Sequence, residues 1–220
     1  MSAEKSEIAT NFERLQEQIK RAAERTGRRA EDVTIVAVSK TFPVGAIRAA
    51  YDAGLRHFGE NRVQEWETKQ AHVADLRATW HLIGHLQSNK ARRAANLFDR
   101  VDSVDSLALA QKLDAAFVAE SGISNAKTNR VVPRNRLQVL IEVKSGDEST
   151  KSGVQETDLP GLAESVAGSA HLELLGLVEE GVHFLRYFLD FEALGFELCN
   201  DLGLRLKVQK NLLVGLVIFA

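Results

Sequence analysis

The chain has 220 residues, with 28 Lys and Arg against 30 Asp and Glu, a formal net charge of -2, and 45% hydrophobic residues. That length fits one large domain around one core, and the balanced charge excludes a general nucleic-acid binder, which needs a basic field to displace counterions from phosphates. The single cysteine, Cys199, excludes an internal disulfide and a cysteine-rich zinc module.

The first residues, MSAEKSEIATNFERLQ, lack the apolar run of a signal peptide, and the most apolar stretch, LLVGLVIFA, is too short to span a bilayer. The expectation is a cytoplasmic protein with no membrane partner.

Ile8, Phe12, Leu15, Ile19 and Ala22 recur at steps of four and three, which predicts an amphipathic helix over residues 3–26, ended by Gly27. Val33–Val38 is apolar and β-branched, a strand buried on both faces. A helix follows over 44–53, opened by Pro43 and closed by Gly54. Short strands are predicted at Arg56–Gly59, Trp80–Gly84 and Arg100–Asp102, with helices at 62–77, 87–97 and 105–120. Residues 121–136 are polar and breaker-rich, a long surface loop. Leu137–Val143 is an apolar strand, 157–168 a helix, Leu172–Val178 a strand, 182–200 helical, and Leu212–Phe219 the last strand.

Alternating strands and helices imply a parallel sheet with helices packed outside it. A doubly wound sheet and a single-domain (β/α)8 TIM-like barrel over 1–220 both match. The barrel is favoured because no phosphate-binding glycine fingerprint follows the first strand. The tail, 179–220, is irregular. If Leu204–Val208 is a seventh strand, only Gln209-Lys210-Asn211 separates it from the next, whereas a parallel crossover needs roughly a dozen residues. Either the two segments pair as a hairpin or Leu204–Val208 is a connector in an incomplete barrel.

Lys40 lies two residues past the first strand, at the carboxyl end where barrel active sites are assembled. Partial desolvation there would lower its pKa and make it a competent amine for a Schiff base. The alternative, which position alone favours, is a lysine that opens a surface loop. In Phe58-Gly59-Glu60-Asn61, Asn61 could bond a ligand oxygen and Glu60 could orient a neighbour, or the segment simply makes a helix N-cap. His81 and His85 share parity on an extended strand, but as a metal pair they lack a third ligand and a zinc site is not expected. The stretch Gly84 to Asn89 reads as a strand end entering a helix, where free backbone N–H groups could receive an anion, or as a solvated helix start. Lys151-Ser152-Gly153 and Gly176-Leu177 follow or end strands and by themselves indicate loop chemistry. Arg92-Arg93 reads as a solvated helix face.

Taken in order, the segments Val36-Ala37-Val38-Ser39-Lys40, Phe58-Gly59-Glu60-Asn61, Val63-Gln64-Glu65, Trp80-His81-Leu82-Ile83-Gly84, Leu86-Gln87-Ser88-Asn89-Lys90, Asp102-Ser103-Val104-Asp105, Val139–Val143, Lys151-Ser152-Gly153 and Gly176-Leu177 resemble the YggS/PROSC family of pyridoxal-phosphate homeostasis proteins. The likeness runs from about residue 5 to 178. It implies a fold-type-III barrel similar to the N-terminal domain of alanine racemase, with pyridoxal 5′-phosphate held as a Schiff base on Lys40. Asn61, His85, Ser152, Gly153 and Gly215 are the further cofactor-binding candidates; no catalytic residue and no metal are expected. The resemblance also implies a non-catalytic, monomeric carrier in intracellular cofactor homeostasis, with pyridoxal-phosphate-dependent apoenzymes as partners. A racemase- or decarboxylase-like enzyme and a degenerate barrel that binds the cofactor weakly are the competing expectations. Enzymes of that fold type add a second β domain, for which this chain leaves no sequence. Beyond residue 179 the family's serine- and methionine-containing phosphate loop is not matched, and the family arginine beside the pyridine nitrogen aligns with Leu213. Weakened cofactor binding is the consequence expected.

Overall fold

A computed structural model describes residues 3–25, 27–120, 135–144, 152–179 and 212–215. Helix α1 spans Ala3–Arg25 and buries Ile8 and Phe12, one four-residue step of its apolar stripe, together with Ala23, while Leu15 and Ile19 are half-buried and Ala22, expected in the stripe, is exposed. Alternation then proceeds as β1 (Val33–Val38), α2 (Val44–Asp52), β2 (His57–Glu60), α3 (Val63–Lys69), β3 (Thr79–Leu82), α4 (Ala91–Leu97), β4 (Arg100–Val104), α5 (Leu107–Glu120), β5 (Leu137–Val143), α6 (Leu159–Ala167), β6 (Leu172–Glu179) and β7 (Leu212–Gly215).

Every neighbouring pair in the sheet is parallel, and the spatial order is β6-β5-β4-β3-β2-β1-β7. From β1 to β6 each strand lies beside its predecessor. A doubly wound sheet would reverse direction at a switch point, so that alternative is excluded. β7 pairs with the other side of β1, where a barrel's last strand stands.

The sheet is curled. Val36 on β1 clusters with Leu140 on β5 and with Leu175 and Val178 on β6. In a flat sheet β1 and β5 would be roughly 19 Å apart, at about 4.8 Å per strand, far beyond side-chain reach. The convex face carries the main core against the helices, including Ala37, Phe58, Trp66, Trp80, Phe98 and Val139. There Phe58 stacks on Trp80, Trp80 on Trp66, and the Trp66 indole N–H donates to the Leu97 carbonyl at 3.0 Å.

Two predicted helices are shorter than expected. The helix predicted over 62–77 ends at Lys69 and passes into a 3₁₀ turn at Gln70–His72. Val73 N–H then bonds Gln70 O and Leu76 N–H bonds Val73 O, and both Val73 and Leu76 are buried. The helix predicted from 87 starts at Ala91, after a 3₁₀ turn at Ser88–Lys90. Strand β4 continues to Val104 through a register irregularity with β5. Most of the 121–136 loop, the 182–200 helix, Leu204–Val208 and the end of the last predicted strand lie outside the described residues.

Phe58 is fully buried at the centre of the convex core. Phe58→Ala is expected to lower unfolding free energy by roughly 3–5 kcal/mol, measured by urea denaturation.

Candidate functional site at the carboxyl rim of the sheet

Parallel strands deliver their carboxyl ends to one rim, and the sequence-predicted residues arrive there from several strands. Lys40 is exposed on a turn just past β1. Its neighbours are held firmly. Ser39 is fully buried; its N–H donates to Gly59 O at 2.9 Å and its hydroxyl to Glu60 Oε1 at 2.7 Å. Phe42 N–H closes the turn on Ser39 O at 3.1 Å. Thr41 has φ 65°, a left-handed conformation that costs an L-residue about 1–2 kcal/mol, and its N–H donates to Glu65 Oε1 at 2.5 Å.

Beneath this turn sits a buried ionic cluster that the sequence reading did not identify. Lys69 is 9% exposed and Glu60 0%. The Lys69 ammonium donates to Ser39 O at 2.9 Å, to Glu60 Oε1 and Oε2 at 3.1 and 3.2 Å, and to Glu65 Oε1 at 2.6 Å. Burial pushes the Glu60 carboxyl above its ordinary value against the pull of Ser39 and Lys69. Burial pushes Glu65 the same way, but bonds from Lys69 and the Thr41 amide outweigh it and hold that carboxyl below its usual range. The four-residue step from Glu65 to Lys69 was the legible signal. That they close on the β1 turn was not.

Asn61 follows β2, and Gly84 follows β3 against it. A Cβ on Gly84 would lie 2.3 Å from Asn61 O and 2.5 Å from its Oδ1, so only glycine lets the two rim segments approach. Ser103 Oγ donates to Gly84 O at 2.8 Å and ties β4 into the same corner. His85 is exposed on the rim, its Nδ1 3.1 Å from Asp105 Oδ2.

At the end of β5, Ser152 Oγ donates to Glu142 Oε2 at 3.3 Å, and Val154 forms a parallel bridge with Val143. Gly153, at φ +109°, backs onto that strand end so closely that a Cβ would lie 2.6 Å from Lys144 N. Gly215 on β7 pairs with Val36, four residues before Lys40 along β1.

His81 and His85 part company despite their shared parity, because β3 ends at Leu82 and the chain turns at Gly84. His81 is fully buried on the concave face, with Nδ1 2.7 Å from Asp102 Oδ2 and Nε2 3.1 Å from His57 Nδ1. A second polar chain lies alongside, where Arg100 Nε donates to Gln138 Oε1 at 2.7 Å and Gln138 Nε2 to Glu173 Oε2 at 3.0 Å. Neither His57 nor Asp102 was nominated from sequence. The predicted anion-receiving helix start is displaced, since a 3₁₀ turn precedes the short α4.

Comparison with known proteins bears on this arrangement. Residues 10–184 match the family model of the alanine racemase N-terminal domain. The pyridoxal phosphate homeostasis protein of Escherichia coli (strain K12) is 40% identical over 191 residues, covering 86% of this chain and 76% of the relative. The chain belongs to this family of pyridoxal phosphate homeostasis proteins. PipY of Synechococcus elongatus PCC7942, solved with PLP bound, is a structural relative at TM-score 0.60 and 33% identity, covering 89% of this chain and 86% of that one. Alanine racemase from Corynebacterium glutamicum shares the fold alone, at TM-score 0.58 and 18% identity, covering 91% of this chain and 51% of the racemase. Family membership accounts for the parallel, curled sheet with its helices outside.

The polar concave face makes a pH prediction. Burial pushes His57 down to about 3, with His81 and Arg100 adding to the effect and Asp102 opposing it. In the unfolded chain a histidine titrates near 6.5, so between these values the unfolded state binds more protons. Stability is therefore lost as pH falls from about 6.5 toward 3, with a slope of up to about 1.4 kcal/mol per pH unit from this residue. Urea denaturation across that window should show a shallower loss in His57→Gln, which keeps an N–H donor toward His81.

Proposed function

We propose that this chain carries pyridoxal 5′-phosphate covalently on Lys40 and serves cofactor homeostasis without turnover of its own. The observation that carries the reading is an exposed lysine amine on a turn fixed from both sides, at the rim of a parallel sheet. It is supported by the E. coli relative named for pyridoxal phosphate homeostasis and by the PLP-bound PipY structure.

The residues present suit the aldehyde end of the cofactor. Lys40 offers a primary amine on the rim turn, and Asn61 lies close against Gly84, which lacks the Cβ that would collide with it. Lys40 would hold the cofactor through its amine, and the bound cofactor would supply an aldehyde for that amine to condense with, water being released. On this reading Asn61 after β2, His85 after β3 and the Ser152–Gly153 turn beside the end of β5 serve the cofactor from carboxyl ends of the same sheet, and Gly215 pairs with the anchor's strand from β7. The reading treats residues 1–220 as one barrel domain of eight strands, acting as a cytoplasmic monomer that passes the cofactor to apoenzymes. No helix among the described residues is long and apolar enough to cross a membrane.

One observation favours a second reading, a racemase-like enzyme. The rim pair His85–Asp105 has the composition of an acid–base couple. Against it, the better-aligned pair, His81–Asp102, is buried on the concave face and engaged with His57. An amino-acid racemisation assay separates the two, since the carrier reading expects no turnover above a Lys40→Ala control and no change on His85→Asn.

Incubation with pyridoxal phosphate, borohydride reduction and peptide mapping should place one cofactor on Lys40 and none elsewhere. Lys40→Ala should abolish the adduct without lowering thermal stability. Labelling of wild type and Lys40→Ala to the same extent would refute the assignment. With Leu213 at the position of the family arginine, equilibrium dialysis should show weaker binding than for the E. coli relative.

A further inference from the structure

Lysine is rarely buried, because its ammonium must lose water and needs partners for three N–H donors. On α3, Val63, Trp66 and Lys69 are the buried positions at steps of three. The first two fill the core; the third carries a charge inward. Replacing a buried ion pair by apolar groups of similar size is often neutral or stabilising, so packing alone gives no reason for this lysine. Its partners do. Besides two carboxylates, the ammonium holds the carbonyl of Ser39, and Glu65, one turn earlier on the same helix, holds both that ammonium and the amide of Thr41. The two backbone groups captured belong to the residues immediately before and after Lys40.

Thr41 gives the capture its purpose. A β-branched residue with φ 65° is strained, and such strain persists only where the surroundings over-determine it. Here the determinants are the Glu65 carboxylate on Thr41 N–H, the Lys69 ammonium on Ser39 O and the Gly59 carbonyl on Ser39 N–H. Glu60 completes the assembly by bonding both the Ser39 hydroxyl and Lys69. Released from these, Thr41 would relax to negative φ and the chain would leave Lys40 in a different direction.

We infer that Lys69 and Glu65 are positioning residues for the Lys40 amine, clamping the backbone on both sides of it so that the amine leaves the rim in one fixed direction. This rests on the reading of Lys40 as the cofactor anchor. The clamp touches no ligand; it acts through the peptide groups of Ser39 and Thr41. Its effect is on how often the amine meets an aldehyde in a productive orientation.

The test uses the full chain as wild type, Lys69→Met, Glu65→Ala, Lys69→Arg and Lys40→Ala. Two quantities are measured on folded protein: the rate of borohydride-trapped pyridoxal phosphate at Lys40, and cofactor-free amide hydrogen exchange in the peptide holding Ser39 to Phe42. Lys69→Met and Glu65→Ala should slow trapping by about ten-fold or more, the scale of a misdirected reacting group, and should speed exchange at that turn while other strands stay protected. Lys69→Arg should recover part of both. Trapping at the wild-type rate in both variants, or unchanged exchange at the turn, overturns the clamp. If wild type itself traps no cofactor on Lys40, the anchor reading fails, and the exchange comparison still decides whether the clamp exists. Should Lys69→Met not fold, Glu65→Ala carries the test, its side chain being 25% exposed and so tolerant of truncation.

Discussion

A parallel sheet cannot leave a face in water, because its crossovers demand helices on one side and its strands are apolar on both. In this protein the second face is covered by the sheet itself. Curling brings Val36 against Leu140 and Val178 from strands that would be far apart in a flat sheet. All else follows from that curl. The helices stay on the convex face, and every strand points its carboxyl end to the same rim.

The concave face is filled in two chemically different ways. Val36, Leu140, Leu175 and Val178 form an apolar patch, while His57, His81, Asp102, Arg100, Gln138 and Glu173 form hydrogen-bonded polar chains. Buried polar groups are mostly partnered, and each of these residues joins a chain running across neighbouring strands, with Asp102 Oδ1 the one buried oxygen among them left without a hydrogen bond among the described residues. The cost is a dependence on protonation. His57 is kept neutral by burial, so the interior of the sheet is better suited to neutral than to acid solution.

At the rim the same economy of position applies to backbone. The turn that carries Lys40 includes one residue in an unfavourable conformation and is held by a helix three elements further along the chain. Gly84 and Gly153 serve a related end, letting rim segments touch where any Cβ would collide. The result is a turn whose backbone is fixed on both sides of Lys40.

Most of the alternation of strands and helices was legible from residue patterns. Val33–Val38 and Leu137–Val143 were placed to the residue, and the α1 stripe within one residue of its end. Boundaries failed where 3₁₀ turns replaced helix, at Gln70–His72 and Ser88–Lys90, because a 3₁₀ turn and an α-helical turn differ by one residue per hydrogen bond and share the same residue preferences. The rim candidates Lys40, Asn61 and His85 could be named because strand ends and short motifs are local features. Strand order, the separation of His81 from His85, and the engagement of His57 and Asp102 are contacts between distant segments that no local pattern encodes.

Lys69 shows the division most clearly. Local pattern alone sets a lysine one turn after a glutamate on a helix and another lysine just past the first strand. That the helix lysine is buried beneath the strand-end turn is a matter of packing between distant segments. An ammonium's surroundings depend on how far the sheet curls and which carbonyl that curl brings within reach, and that distance belongs to the packed molecule.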